Sequence, residues 1–404
     1  MSATHPVSAA PAHPVYRVDL FQPDALRNPF PHYRAIRDLG AAVRMEIPDV
    51  YAIGRFKDVQ AALRHPEILV SGQGVGFNDI SNAPMANPPT IRSDGARHRK
   101  LRGVLSKPLM PAALKERREM LKAMIATRID DIIGGETVDA ITTIAQHLPL
   151  QAVSYLVGLP ETDRQQMLRW ASASFNSTGP YSTRDTDDPE LAADLETAIS
   201  VKQYFLSVDR DHLRPGSWAA ALFDAVDAGK LEKPEAHAAI SGLVLPSLDT
   251  TIYAKGNLLY NLARHPDQWA ALKADPSLIS SAVLEGVRYS AVVRWFSRVA
   301  VADYEQGDVH VPAGGRVMLL YGSANRDERH YPDPGRFDVT RNPVDQLGWG
   351  TGPHMCAGMH LARLEMEVML EALLERVERL EVDEPKLGTN RGLYGFDSLP
   401  MRLI

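Results

Sequence analysis

Apolar residues recur at three- and four-residue spacings in ten separate segments: 25–40, 57–65, 95–107, 112–133, 141–157, 162–175, 190–208, 235–264, 278–289 and 358–378. A chain patterned in this way buries helix stripes against one another, and little room is left for sheet. Strand-like pieces are short. "AAVRMEI" and "VYAIGR" fall around 41–55, and "RVAVADYEQGDVHVPAGGRVMLL" spans 298–320 with turn signals at "EQGD" and "PAGG". The expectation is a mainly α fold with smaller β regions. No internal repeat or low-complexity linker divides the 404 residues, so one domain is expected over 23–404. Residues 1–22 read as a flexible tail, because "MSATHPVSAAPAHP" is small, polar and Pro-containing.

Bulk properties close off several classes of function. A formal charge of −6 gives no reason to expect wholesale nucleic-acid binding, and the amino-terminal residues lack the basic start and apolar run of a signal peptide. The longest apolar candidate, "ITTIAQHLPLQAVSYLVGLP", is interrupted by Gln146, His147 and Pro149, so a soluble, cytoplasmic protein is expected. One cysteine rules out an intrachain disulfide and any multi-cysteine zinc or iron–sulfur centre.

That cysteine, Cys356, sits in "GWGTGPHMCAGMHLAR" at 348–363, a glycine-rich loop running into a helix. The first N–H groups of a helix are unpaired and its positive pole favours anions, so a thiolate is well placed there. Gly350 and Gly352 allow a tight turn toward the sulfur, and Gly358 leaves room for a flat ligand against the helix. On local grounds alone, a buried thiol acting as a small apolar residue remains open.

"WGTGPHMCAG" resembles the haem-binding loop of the cytochrome P450 family, with Trp349 in place of the usual Phe. The resemblance implies haem b with Cys356 as axial thiolate to the iron, and Trp349 covering the sulfur with an indole N–H that can alter its hydrogen bonding. Three more stretches fit the same family. "LEGVR" puts Glu285 and Arg288 three apart on one helix face, which could be an ordinary surface ion pair; the resemblance joins them to Arg336 in "DPGRFD" as a structural lock behind the haem. His98 and Arg102, four apart in "SDGARHRKLRGVLSK", with Arg298 and His354, match positions that hold haem propionates, although each alone reads as a surface cation. "SGLVLPSLDTTIYAKG" places Asp249 and Thr250 in an apolar helix, the acid–alcohol pair that serves oxygen activation. The plainer alternative has the threonines bonding back to their own helix and Asp249 pairing with a remote Arg. Pro246 and Ser247 depart from the family's small residues at those positions, and Pro246 is expected to kink the helix.

The fold implied is that of the family, with haem between the Asp249 helix and the helix after Cys356. The activity implied is monooxygenation with O2, electrons coming from an iron–sulfur ferredoxin and an NAD(P)H-dependent reductase, since the chain has no flavin domain. Arg97, Arg99, Lys100, Arg102, Lys107, Lys115, Arg117 and Arg118 offer a basic stretch for an acidic donor. "GQGVGFND", "VLSKPLMPAALK", "FNSTGP", "LYGSANRD" and "DSLPMRL" resemble the bacterial branch that oxidises small para-substituted aromatic acids, often by O-demethylation. Where that branch anchors a carboxylate, this chain has Asn87 and Thr90 with Arg92 displaced, and Gly242 and Leu245 where hydroxyls are expected. Arg294 is a substitute anchor, or the substrate is a neutral phenol or methoxyarene. Phe175, Val293, Trp295, Phe296 and Phe396 are the expected apolar walls. Two rival readings stand beside this one: a peroxide-driven peroxygenase of the same superfamily, and a haem sensor or carrier without oxygen chemistry.

Overall fold

A computed structural model describes residues 13–180 and 189–404. Its axis is a 32-residue helix, Lys233–Arg264, buried along most of its length. A capping box starts it: the Glu232 side chain accepts from the backbone of Glu235, and the Glu235 carboxylate accepts from the Glu232 N–H at 2.9 Å. The same Glu235 carboxylate holds Lys100 at 2.6 Å, which ties the start of the central helix to the helix Gly95–Ser106. The central helix continues through Pro246, where a kink is expected. Proline has no N–H for the Gly242 carbonyl; the hydroxyls that follow bond back to other carbonyls of the helix, Ser247 to Val244 at 2.9 Å and Thr250 to Pro246 at 2.5 Å.

Helices Arg164–Asn176, Trp218–Asp227 and Ile279–Ser290 pack against this axis, and Arg118–Asp130 lies along Met359–Arg376, the helix that follows the cysteine loop. All ten periodic segments carry helix. Trp218–Asp227 and Pro266–Ala274 are helices the periodicity did not show. The first, "WAAALFDAVD", is apolar on nearly every side and so has no stripe to read. Six strands form the main sheet in the spatial order Val15–Tyr16, Val43–Met45, Val50–Ile53, Arg316–Leu320, Trp295–Ala300, Leu69–Val70. Residues 13–22 correct the tail expected over 1–22: Val15–Tyr16 pairs in parallel with Arg44 and Met45, and Leu20 and Phe21 are buried beneath the sheet. The remainder of that tail, residues 1–12, lies outside the described residues. Among the described residues no helix is long and apolar enough to cross a membrane.

Candidate active site

The cysteine loop is a tight hairpin that ends in a helix. Gly350 and Gly352 both take left-handed φ, +67° and +73°, and a Cβ on Gly352 would come within 2.5 Å of the Leu63 carbonyl oxygen. Across the turn the Cys356 N–H donates to the Trp349 carbonyl at 2.8 Å. Trp349 is half-buried and packs against the main core. Protein packs densely around the Cys356 sulfur, yet the residue keeps exposed surface. Burial pushes its thiol up, while the Gly358 N–H, the Arg102 guanidinium and the Met359 N–H draw it back toward the thiolate. Those two N–H groups belong to the start of the helix Met359–Arg376, so the anion site expected at a helix N-terminus is present.

Four basic side chains from three elements converge beside the loop. His98 and Arg102 come from the helix Gly95–Ser106, Arg298 from the strand Trp295–Ala300, and His354 from the loop itself. The His98 and His354 rings lie 4.3 Å apart. Burial and the charges of His354 and Arg102 push His98 down to about 4, and its Nε2 is buried without a hydrogen-bond partner. His354 is likewise held low by burial and by Arg298 and Arg102, against the pull of Asp94. Asp94 lies 3.8 Å from His354, but its oxygens already accept from the Ser71 and Gly72 N–H groups at 3.0 and 2.7 Å. Four basic groups therefore face the Asp94 carboxylate, which leaves the cluster able to take further negative charge. A cofactor with two carboxylates and a flat body fits it, and Cβ atoms on Gly350 and Gly358 would meet nothing within 4 Å.

On the central helix, Asp249 is 7% exposed and Thr250 follows it. Burial raises the Asp249 carboxyl to about 7, opposed by a hydrogen bond from Ser172 and assisted by the charge of Asp397. The Asp249 partner is therefore a serine on Arg164–Asn176, not a remote Arg, while the Thr250 hydroxyl does bond back to its own helix.

Arg288 and Glu285 are fully buried and joined by two hydrogen bonds of 2.6 and 2.7 Å. The other Arg288 hydrogens go to the carbonyls of Asn325, Pro334 and Arg336. The expected third member needs correction. Arg336 is exposed and contributes its carbonyl, whereas the guanidinium that reaches Glu285, at 3.3 Å, is that of Arg341. Consequently Arg341→Ala is expected to cost about 1–3 kcal/mol of stability and Arg336→Ala less than about 0.5 kcal/mol, read from urea midpoints.

The profile of the cytochrome P450 family matches residues 207–393. Cytochrome P450 CYP199A2 of Rhodopseudomonas palustris is 34% identical over 390 residues, covering 96% of this chain and 93% of the relative. The chain is a cytochrome P450. Members of the family are haem-thiolate monooxygenases that use O2. A beta-dihydromenaquinone-9 omega-hydroxylase of Mycobacterium tuberculosis is 30% identical, covering 94% of this P450 and 77% of that protein. Among solved structures, CYP108D1 from Novosphingobium aromaticivorans has a TM-score of 0.81 at 27% identity, covering 95% and 96% of the two chains. A P450 called CREJ, solved with (4-ethylphenyl) dihydrogen phosphate, has a TM-score of 0.85 at 23% identity, covering 94% and 98%, and shows the fold.

The distal side of this P450 departs most from the sequence expectations. Phe175 and Val293 do come together, around a small apolar cluster of Tyr253, Val292 and Leu393. Trp295 instead points to the opposite face of its strand, packs on Phe21 and Phe77, and donates its indole N–H to the Arg391 carbonyl at 3.0 Å. Phe396 is core, 4.6 Å from the Tyr260 ring, and Phe296 sits at the edge of the cluster behind the sheet, near Tyr321. Arg294 is no ligand anchor: its guanidinium donates to the carbonyls of Leu26, Asn390 and Leu393 and lies over the Tyr394 ring. Arg92 is similarly folded onto the carbonyls of Ser81 and Ala83. Asn87 is half-buried and Thr90 buried, in the segment leading to His98. Tyr253, which the sequence reading missed, is the polar side chain of the distal cluster; its place one helical turn after Asp249 was the available signal.

Proposed function

We propose that this P450 carries haem b on Cys356 and inserts one oxygen atom from O2 into a small, uncharged aromatic substrate, by hydroxylation or by O-demethylation of a methoxyarene. The observation that supports an uncharged ligand is the engagement of the two arginines that offered an anchor, Arg92 and Arg294, by backbone carbonyls. A benzoate would bring a second carboxylate to the side of the haem where the Asp249 carboxyl already resists ionisation. Bound haem supplies the redox chemistry of O2 activation. The chain's own groups then have separable tasks. Gly358 and Met359 N–H groups hold the Cys356 thiolate. His98, Arg102, Arg298 and His354 would hold the propionates. Asp249, poised near neutrality, delivers protons on the distal side, with Thr250 positioning them. When the oxidised carbon is a methoxy methyl, the resulting hemiacetal breaks its C–O bond to give a phenol and formaldehyde.

Titrating the ferric protein with methoxyphenols and methoxybenzoates tests the reading. Displacement of iron-bound water should occur at least about tenfold more tightly for the neutral series, with formaldehyde released on turnover. Tighter benzoate binding, or no response to either series, contradicts it. Arg294→Gln is expected to lower stability without changing the preference between the two series.

Electrons are assigned to a ferredoxin and its reductase, and the basic surface for that partner is narrower than the sequence implied. Arg97 and Lys100 are engaged by Glu235, and Arg118 by Glu367 and Glu371. Arg99, Lys107, Lys115 and Arg117 are exposed and make no ion pair among the described residues. Reversing Arg99 and Lys107 to Glu is expected to raise the KM for ferredoxin about tenfold with kcat unchanged. The Asp249–Thr250 pair favours O2 over hydrogen peroxide as oxidant; turnover with peroxide alone that matched ferredoxin plus NADH would favour the peroxygenase.

A further inference from the structure

Asp249 stands at the inner end of a file of titratable side chains that reaches the surface. Tyr253, one turn along the same helix face, is 8% exposed, and its hydroxyl donates to Asp397 Oδ1 at 3.2 Å. The Asp397 side chain is 39% exposed and lies 3.7 Å from the exposed Lys386 ammonium. Exposure thus rises stepwise from that acid to solvent. Two glycines make the middle contact possible. A Cβ on Gly388 would stand 2.6 Å from Asp397 Oδ1 and 3.2 Å from the Tyr253 hydroxyl, and one on Gly395 would be 2.4 Å from Tyr253 Cγ. The three groups sense one another: Asp249 feels the charge of Asp397, and Tyr253 is raised well above its ordinary value by burial and then by both carboxylates. The other charged groups on this face are Lys386, beside Asp397, and Arg294, beside Tyr253. The Ser172 hydroxyl completes the shell of Asp249.

We propose that Asp397 and Tyr253 form the proton route from solvent to Asp249. Asp397 takes a proton from water beside Lys386. The Tyr253 hydroxyl, turned toward Asp249, then gives up its proton to the Asp249 carboxylate, directly or through one water, as its oxygen receives the proton of Asp397. One O–H bond forms for each that breaks, and the net transfer is one proton inward. Neither residue touches the reacting atoms, so both act through Asp249, and the route rests on the oxygen-activating role given to that acid rather than on the identity of the substrate.

The test needs no organic substrate. The carbonyl band of protonated Asp249, assigned by its loss in Asp249→Asn, is followed by infrared titration of the ferric holoenzyme. Asp397→Asn should lower its midpoint measurably, by up to about one pH unit, because a neighbouring negative charge is gone. Uncoupled O2 consumption driven by reduced ferredoxin should slow about tenfold or more in Tyr253→Phe and Asp397→Asn, with a larger solvent deuterium isotope effect, and Asp397→Glu should restore it. Rates within about twofold of the parent overturn the proposal, as does slowing without a change in isotope effect. An infrared midpoint that Asp397→Asn leaves in place overturns it as well. Because Asp397 is a surface residue, its variant remains informative even if Tyr253→Phe fails to fold.

Discussion

Asp249→Asn should slow O2-dependent turnover by roughly 10²–10³-fold while making the protein more stable at pH 8. The two halves have one physical cause. Burial raises this carboxyl from 3.8 to about 7, so in the native protein it holds its proton across a range in which the unfolded chain has released it. The sign follows directly: between pH 4 and 7 the native state binds more protons than the unfolded state, and stability falls as pH rises. Above pH 7 the group is ionised in both states and the whole penalty is present, at most about 4 kcal/mol for a shift of about three units. Asn keeps a partner for Ser172 and carries no charge, which removes the penalty and with it the transferable proton. Denaturant midpoints measured at pH 8 and pH 4.5 check the claim. The Asn variant should exceed the parent at pH 8, and the gap should narrow to about a quarter at pH 4.5. A variant weaker than the parent at pH 8 would mean that Asp249 is paired as an anion.

Arg288→Ala is expected to destabilise by about 3–5 kcal/mol, a large fraction of the 5–15 kcal/mol that holds a typical domain together. Arg288 and Glu285 are both inaccessible to solvent, and the Arg hydrogens also satisfy three carbonyls from the segment that leads into the cysteine loop. Truncation leaves a buried carboxylate facing only the Arg341 guanidinium and the Asp338 N–H, at 3.3 and 3.0 Å. The carbonyls of Asn325, Pro334 and Arg336 lose a donor at the same time. The segment they belong to positions Cys356, so haem should be lost at a lower denaturant concentration than in the parent. Equilibrium unfolding followed separately by haem absorbance and by far-UV circular dichroism reads both effects. Midpoints unchanged by the substitution would remove the lock from the account.

The elements of the site were legible in sequence where chemistry is local. Cys356 with its glycines, Asp249 with Thr250, and Glu285 with Arg288 each lie within one turn or one loop, and the three-residue spacing places Glu285 and Arg288 on one face. What spacing cannot supply is the direction of a side chain set by distant partners. Arg336 and Arg341 are both arginines of one turn-rich segment, and only the packing of that segment on Ile279–Ser290 decides which one meets Glu285. Trp295 and Phe296 are neighbours in the strand Trp295–Ala300 and so face opposite sides of the sheet, whereas Val293 and Arg294 precede the strand and take their directions from other partners. Arg294 and Arg92 looked available because backbone carbonyls from Leu26, Leu393, Ser81 and Ala83 leave no trace in sequence. Asp397 lies 144 residues from Tyr253, beyond the reach of any local pattern. Residues 13–22 were read as tail on composition, although Leu20 and Phe21 within them carry the apolar surface that the sheet buries.

The central claim is that the lone thiol, Cys356, binds haem iron. The absorption spectrum of the reduced, carbon-monoxide-bound protein tests it most directly. A strongly red-shifted main haem band, lost in Cys356→Ser, is the predicted result. A band at the unshifted position of imidazole-ligated haem, in fresh protein that has retained its cofactor, would contradict it.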